Sequence, residues 1–347
     1  MSLRQHSAAD LLSLMQSGNV TSLEVVKAFS DRAAATDGQV HAILQPTWES
    51  AFERAEEIDR RRSTGKSLGS LAGLPVTVKD IFCTDDLPTT CGSKMLETFR
   101  PPYNATVIEK LRAADAILVG KTNLDEFAMG GSTENSAFGP THNPWDLTRV
   151  PGGSSGGAAA SVSADFTPLA IGTDTGGSIR QPAAFCGITG LKPTYGRVSR
   201  YGLVAFASSL DQAGPFARSA KDTALLLDAI SGHDPQDTTS ADRAPTRIFA
   251  EVEQPLRDLR IGVVREQLGD GIEDEIRESI ETALQVFRQL GAKLTDVQLP
   301  HAKYAVATYY IVAPCEASGN LARYDGAHFG NRVESPELVS MYSASRE

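Results

Sequence analysis

Apolar and polar positions alternate along the chain with two periods, one typical of amphipathic helices and the other of short buried strands. Ser7 and the Thr21–Glu24 pair have the positions of helix caps. The predicted helices cover residues 8–16, 21–35, 104–114 and 276–290. The predicted strands are the apolar runs Pro75–Lys79, Ala116–Val119, Pro168–Ile171, Arg260–Val264 and Lys293–Leu299. Because helices and strands alternate, the pattern predicts an α/β fold.

The loops of this pattern give the domain organisation. The polar segment Ser231–Pro245 is typical of an exposed loop rather than of a linker, since strand–helix units continue on both sides. We find no internal repeat. Ser335–Glu347 has a polar helical pattern that closes no apolar face. We therefore expect one domain over residues 1–347, incomplete at its C-terminal end.

Composition and charge narrow the class of protein. Of the 347 residues, 41% are apolar and 22% charged, which is typical of a globular protein and argues against a disordered chain or a fibre. The formal net charge is −10. Because phosphate binding relies on clustered Lys and Arg, so acidic a chain argues against unaided nucleic-acid binding.

The cysteines and the lengths of the apolar runs indicate the compartment. Four cysteines lack any CxxC pairing, so neither a zinc ribbon nor a disulfide framework is favoured; these are Cys83, Cys91, Cys186 and Cys315. We expect each to be a small buried apolar residue. No apolar run reaches the roughly 18 residues that span a bilayer. We expect a cytoplasmic protein, or one of an organellar matrix, with no membrane partner.

Glycine is concentrated in one part of the chain. Half of the 30 glycines lie between Gly120 and Gly202. Two runs stand out within that part, Gly152–Gly157 and Gly172–Ser178. Glycine permits positive φ and close backbone approach, so such runs indicate loops built around a site.

Two familiar motifs match parts of this glycine-rich region. Gly120-Lys121-Thr122 ends like a phosphate-binding loop, but position 115 is Asp where that motif needs Gly. Ser154 and Ser155 each sit at the centre of a GxSxG match, the nucleophile elbow of α/β-hydrolases. That elbow requires a strand immediately before it, and the two prolines of Asn143–Pro151 disfavour one. The elbow stays open as the weaker hypothesis.

A serine nucleophile also needs a base. Of the six histidines only His142 lies near the serines, in a turn-like stretch where it is better interpreted as holding a loop. Lysine is the usual substitute, provided that burial lowers its pKa. Lys79, at the end of an apolar strand, is placed for this role. Lys121 is its main rival, and Lys192 is a weaker one.

At these residues the sequence resembles a known family. Lys79 and three segments are similar to the amidase signature family, the segments being Gly153–Gly157, Gly172–Arg180 and Gly187–Thr194. Within the family, three further segments resemble the glutaminase subunits of tRNA-dependent amidotransferases, namely Glu126–Gly130, Ser132–Pro140 and Tyr195–Gly202. The resemblance implies an α/β/α sandwich with a mixed, twisted central sheet.

The resemblance also implies roles for individual residues. Lys79 would be the base, Ser154 the relay serine that the family holds after a cis peptide bond, and Ser178 the nucleophile. The backbone N–H groups of the turn would form the oxyanion hole, namely those of Thr175, Gly176, Gly177 and Ser178. No metal site is implied.

Three neighbouring residues are interpreted separately. Ser155 is expected to be a hydroxyl that packs the loop or supports the relay serine beside it. Asp174 is expected to be an internal acceptor that holds the turn, paired with Arg180, with a catalytic acid as the alternative. Tyr309 resembles a substrate-pocket tyrosine, with an ordinary core tyrosine as the alternative.

The implied activity is glutamine hydrolysis through an acyl-enzyme on Ser178. Ammonia would pass to partner subunits B and C, which use ATP and Mg to amidate Glu-tRNA(Gln) or Asp-tRNA(Asn); this chain would need no cofactor. The alternatives are a stand-alone amidase on small amides and an inactive assembly subunit. Such subunits continue past Glu347 with the groups that hold both ends of glutamine. We therefore expect weak glutamine binding by the 347 residues alone.

Overall fold

The computed structural model describes residues 2–255, 258–269 and 271–346. The chain divides into two compact units. The first contains the residues up to Val252 and those from Ala313 onward, and the second is Glu253–Val312. Whether the whole chain acts as one amidase domain stays a prediction.

The helices and strands follow one another in α/β order. The helices are α1 (Ala8–Gln16), α2 (Ser22–Val40), α3 (Trp48–Ser63), α4 (Thr106–Ala113), α5 (Gly156–Ser163), α6 (Arg180–Phe185), α7 (Ala220–Ile230), α8 (Asp274–Gln289), α9 (Ala305–Leu321) and α10 (Leu338–Arg346). The strands are β1 (Ile43–Pro46), β2 (Pro75–Lys79), β3 (Ile117–Thr122), β4 (Leu169–Asp174), β5 (Thr189–Gly190), β6 (Gln212–Ala217), β7 (Arg260–Val263) and β8 (Lys293–Asp296). None of the described helices is both long and apolar enough to cross a membrane.

A mixed sheet forms the centre of the first unit. Its strand order in the described chain is β1-β3-β2-β4-β6-β5. Strand β2 runs parallel to both β3 and β4, and the remaining neighbours are antiparallel. The sequence-based expectation of a mixed central sheet is confirmed.

Both faces of this sheet are covered. Ala170 of β4 packs in one cluster with Ala158 and Val162 of α5. Leu169 and Ile171 alternate with Ala170 and so face the other side, yet they too are fully buried. Helix α7 packs against β4, β5 and β6. Two buried faces make this unit the α/β/α sandwich that the resemblance implies.

The predicted starts of α1 and α2 are confirmed, whereas the predicted end of α2 and the predicted start of α4 are wrong. Ser7 and Thr21 cap α1 and α2 through their hydroxyl oxygens, as predicted. Helix α2 continues to Val40 rather than ending near Ala35. Asn104 does not start α4, because its side-chain oxygen accepts a hydrogen bond from the Asp85 N–H at 2.9 Å; α4 begins two residues later.

The second unit contains a two-stranded parallel sheet. Strands β7 and β8 pair from Arg260–Lys293 to Val263–Asp296. Both are shorter than predicted, since β7 ends one residue and β8 three residues before the expected position. Helix α8 lies between them in sequence, and Gly291 follows it with φ +90°, as the predicted helix stop requires.

Candidate active site

Lys79 lies where two parallel strands end at one edge of the sheet. Strand β2 pairs with β4 in the register Val78↔Ile171, so the residues after these positions meet at the carboxyl ends. Lys79 Nζ lies 2.7 Å from Ser154 Oγ and 2.8 Å from Thr173 Oγ1. The lysine is fully buried. Its amine therefore has two hydroxyl partners.

The electrostatics of this position favour a neutral amine. Burial lowers the pKa of Lys79 to about 7, because the protonated form loses its hydration. The carboxylates of Asp125, Asp211 and Asp174 act in the opposite direction. The buried amine can thus exist in its neutral form near neutral pH and accept a proton from a bound hydroxyl.

Ser154 is presented by a loop and not by a strand. The Gly153–Ser154 peptide bond is cis, as the family resemblance implied. The Ser154 carbonyl accepts a hydrogen bond from the Asp125 N–H at 3.3 Å. Residues 147–155 contain no strand, and α5 begins at the next residue. The nucleophile-elbow hypothesis therefore lacks the strand that it requires.

Ser155 fastens this loop to β4. Its Oγ donates to the Thr173 carbonyl at 3.0 Å and accepts from the Thr173 N–H at 3.2 Å. The predicted packing role is confirmed. The Ser155 N–H also donates to the Ser178 carbonyl at 3.3 Å, which brings the two serine segments together. Among the described residues, no direct hydrogen bond joins the hydroxyls of Ser154 and Ser178.

Asp174 organises the turn that carries Ser178. Its fully buried carboxylate accepts hydrogen bonds from the N–H groups of Gly177, at 2.9 Å, and Ile179, at 3.1 Å. Arg180 closes the arrangement through Nε at 3.0 Å and Nη2 at 2.9 Å. Despite its burial, the pKa of Asp174 is lowered by these hydrogen bonds and by the Arg180 charge. The predicted role as an internal acceptor is confirmed.

The same turn presents the predicted oxyanion donors. Ser178 is only 7% exposed, whereas Gly176 before it is exposed. The Gly177 N–H is occupied by Asp174. In the described structure, the N–H groups of Thr175, Gly176 and Ser178 have no acceptor. These three groups, rather than that of Gly177, are free to face a substrate oxygen.

The rival bases occupy other environments. Lys121 is fully buried, forms an ion pair with Asp80 at 2.9 Å, and donates to the Phe82 carbonyl at 2.9 Å. The Nδ1 atom of His142 lies 2.9 Å from the Leu147 carbonyl, which holds the loop as expected. Lys192 Nζ donates to the carbonyl of the next residue at 2.8 Å. None of the three contacts a candidate serine in the described structure.

Two further expectations concern Tyr309 and the cysteines. Tyr309 lies in the second unit, half-buried and packed edge to face against Tyr310. Its place in a substrate pocket stays a prediction. Three of the four cysteines are buried, as expected, but Cys315 is exposed. That expectation was wrong for Cys315 because α9 turns it away from the core.

Sequence reasoning missed three groups around Lys79. They are Thr173, which binds its amine, and the carboxylates of Asp125 and Asp211. A signal existed for Thr173, since it lies in Gly172–Arg180, one of the segments that resemble the amidase signature family. Asp125 gave no such signal because it lies outside the strands and its distance from Lys79 in sequence hides their proximity.

The fold and this arrangement define a class of protein. A buried lysine bound to a loop serine, next to a glycine-rich turn with a second serine, is typical of hydrolases that use lysine in place of histidine. The Amidase family model matches residues 24–347. The chain therefore belongs to the amidase family.

Relatives and solved structures agree with this assignment. The chain is 56% identical to the A subunit of the Glutamyl-tRNA(Gln) amidotransferase of Rhodopirellula baltica, over 98% of this chain and 70% of that protein. It superposes on the crystal structure of the corresponding subunit from Thermotoga maritima with a TM-score of 0.82 at 39% identity, covering 100% of this chain and 72% of that one. The native peptide amidase of Stenotrophomonas maltophilia gives a TM-score of 0.86 at 34% identity, with coverages of 99% and 72%.

Proposed function

We propose that this protein is the glutamine-hydrolysing subunit of a tRNA-dependent amidotransferase. The observation that carries the proposal is the 56% identity to the A subunit of a Glutamyl-tRNA(Gln) amidotransferase over nearly the whole chain. The substrate would be glutamine, and the products would be glutamate and ammonia. The 2.7 Å contact between Lys79 and Ser154 supplies the chemistry that this activity needs.

The proposed reaction begins with proton transfer towards the lysine. Neutral Lys79 accepts a proton from Ser154, which takes one from Ser178 as the Ser178 Oγ attacks the amide carbon of glutamine. Free N–H groups of the turn, those of Gly176 and Ser178 among them, stabilise the oxyanion. The relay returns a proton to the departing nitrogen, so ammonia leaves and an acyl-enzyme remains. Water then hydrolyses the ester along the same relay, which releases glutamate and restores Ser178.

The proposed partners follow from the same relatives. Ammonia would pass to subunits B and C, which would use ATP and Mg to convert Glu-tRNA(Gln) or Asp-tRNA(Asn) into the amidated form. The net charge of −10 supports a division of labour in which RNA contact lies mainly on the partners. The place of action would be the cytoplasm or an organellar matrix.

The proposal is tested by replacing the nucleophile in the assembled complex. Ser178→Ala should abolish ammonia release from glutamine and trapping of the acyl-enzyme by hydroxylamine, with the fold unchanged. Ser155→Ala is the matched control, because it removes a neighbouring serine hydroxyl whose hydrogen bonds go to the backbone of Thr173. A covalent label on Ser154 or Ser155 instead of Ser178 would contradict the assignment.

A stand-alone amidase is the second candidate. It is favoured by the TM-score of 0.86 with a peptide amidase. The two functions differ in what they need. An amidotransferase subunit should co-purify with its partners and drive glutamine-dependent amidation of charged tRNA, whereas a free amidase should turn over small amides at full rate without them. Glutamine hydrolysis, with or without the partners, would rule out the hypothesis of an inactive assembly subunit.

A further inference from the structure

Asp125 is a fully buried carboxylate beside the Lys79–Ser154 pair. Its Oδ2 atom has no hydrogen-bond partner among the described residues. Within the described part of the chain, its Oδ1 atom accepts a single long hydrogen bond, 3.4 Å, from the Asn135 N–H. Buried polar groups of this kind are rare, because leaving one unpaired destabilises the fold. Such a group therefore calls for a functional explanation.

The carboxylate packs directly against the loop that carries Ser154. A Cβ atom placed on Gly153 would lie 2.1 Å from Asp125 Oδ2, and one on Gly130 would lie 2.3 Å from Asp125 Cγ. Only glycine fits at either position. The Asp125 N–H in addition donates to the Ser154 carbonyl at 3.3 Å. Side chain and backbone of Asp125 thus both support the segment Gly153–Ser154.

The other carboxylates near Lys79 are compensated. Asp174 is neutralised by Arg180 at 2.9 Å, and Asp80, the residue after Lys79, by Lys121 at 2.9 Å. Asp211 accepts hydrogen bonds from Thr175 Oγ1 at 2.5 Å and from backbone N–H groups. For Asp125 the described structure provides neither a cation in an ion pair nor a set of donors. Asp125 is therefore the carboxyl of this group with the fewest partners among the described residues.

We propose that Asp125 is a positioning residue of the proton relay, whose carboxylate braces the Gly153–Ser154 loop and whose negative charge favours proton uptake by Lys79. The inference rests on the proposed catalytic role of Lys79. Four titratable groups act on the lysine in the direction opposite to burial, in the order Asp125, Asp211, Asp174 and Cys91. Asp125 is the largest of the four.

The proposed consequence is that Lys79 keeps enough proton affinity to accept a proton from Ser154. Burial alone would lower the pKa of Lys79 further, and a weaker base draws a proton from serine less readily. A nearby carboxylate with few partners of its own would restore part of that proton affinity. Removing the Asp125 carboxylate should therefore have two effects. Activity should persist to lower pH, and the maximal rate should fall.

The test is the pH dependence of Ser178 labelling by a fluorophosphonate, measured on the assembled complex for the wild type and Asp125→Asn. The labelling rate rises as Lys79 loses its proton, so its acid limb follows the lysine. In Asp125→Asn the acid limb should move to lower pH by about one unit, and the plateau should fall roughly twofold to tenfold. Asp125→Ser is a second variant, because the Asn amide can itself disturb the packing and Ser is smaller. It also removes the carboxylate, so it should shift the acid limb in the same direction.

Two controls separate charge from packing. Gly153→Ala crowds the same contact without removing the carboxylate, so it should lower the plateau and move the acid limb less than Asp125→Asn does. Asp146→Asn removes an exposed carboxylate whose described partners, Thr148 and Arg149, are outside the relay, and it should change neither. An acid limb that stays in place, or moves to higher pH, in Asp125→Asn would overturn the proposal. Because labelling needs no glutamine, failure of the wild type to hydrolyse glutamine would reject the proposed function and leave this test intact.

Discussion

The two buried lysines of the central sheet, Lys79 and Lys121, occupy nearly equivalent positions and have opposite surroundings. They lie near the ends of the neighbouring parallel strands β2 and β3, where Val78 pairs with Lys121. Both are fully buried. Lys79 has two hydroxyl partners. Lys121 has the Asp80 carboxylate, two hydroxyls and two backbone carbonyls.

This difference shows that burial alone does not make a lysine a base. A carboxylate and carbonyl oxygens stabilise an ammonium, so Lys121 serves as a cation that holds the loop after β2. Two hydroxyls compensate a buried charge poorly, so the amine of Lys79 is free to exchange a proton with one of them. On the proposed mechanism, the partners of the two lysines, and not their positions on the strands, distinguish their roles.

Replacing the two lysines should separate these roles most strongly. Lys79→Ala should lower kcat for glutamine by about a thousandfold or more, because the relay loses its proton acceptor. The measurement is ammonia release under saturating glutamine, with the fold checked by circular dichroism. Lys121→Met is the matched comparison. A larger loss of kcat in a folded Lys121→Met than in Lys79→Ala would reverse the assignment.

The pH dependence of the wild type gives the next largest effect. The pKa of Lys79 is lowered to about 7, and the base must be neutral to act. Activity should therefore rise roughly tenfold per pH unit below about pH 7 and level off above it. The check is kcat/KM for glutamine between pH 5 and 9. A rate that is flat across this range would argue that another group is the base.

Loss of the Lys121 cation should be seen mainly in stability. Lys121→Met leaves Asp80 buried without its ion pair, and removing one partner of such a pair costs about 3–5 kcal/mol. Urea unfolding should report a free energy of unfolding lower by that amount. Lys121→Met combined with Asp80→Asn should recover part of it, because no uncompensated carboxylate remains. No recovery in the double variant would mean that the ion pair is not the cause.

The smallest effect is expected at the histidine nearest the serines. His142→Ala removes the contact between Nδ1 and the Leu147 carbonyl, worth about 1 kcal/mol. Ammonia release per folded enzyme should stay within a factor of about two, because the ring contacts no member of the relay. A loss of kcat comparable to that of Lys79→Ala would revive the nucleophile-elbow hypothesis.

Sequence signals predicted correctly those elements that depend on residues close together in the sequence. The Ser7 and Thr21 caps and the strand Pro75–Lys79 were confirmed, because caps and short apolar runs depend on neighbours in sequence. Helix α3 was missed, since most of its residues are charged and only Ala51, Ala55 and Ile58 among them are buried. The end of α2 was predicted too early, because tertiary contacts extend this helix. Val40 and Ala33 pack on α5, a contact that no local pattern encodes.

The same division applies to the site. The resemblance to the amidase signature family supplied Lys79, Ser154 and Ser178 as candidates, while the residues themselves excluded a phosphate loop and made an elbow improbable. It left Lys79 and Lys121 as rivals, because both are strand-end lysines in apolar surroundings. Their separation required the three-dimensional arrangement, in which Asp80 is turned towards Lys121 and Ser154 towards Lys79. Proton affinity depends on which groups lie within a few ångströms, and residues 75 positions apart meet only after the chain has folded.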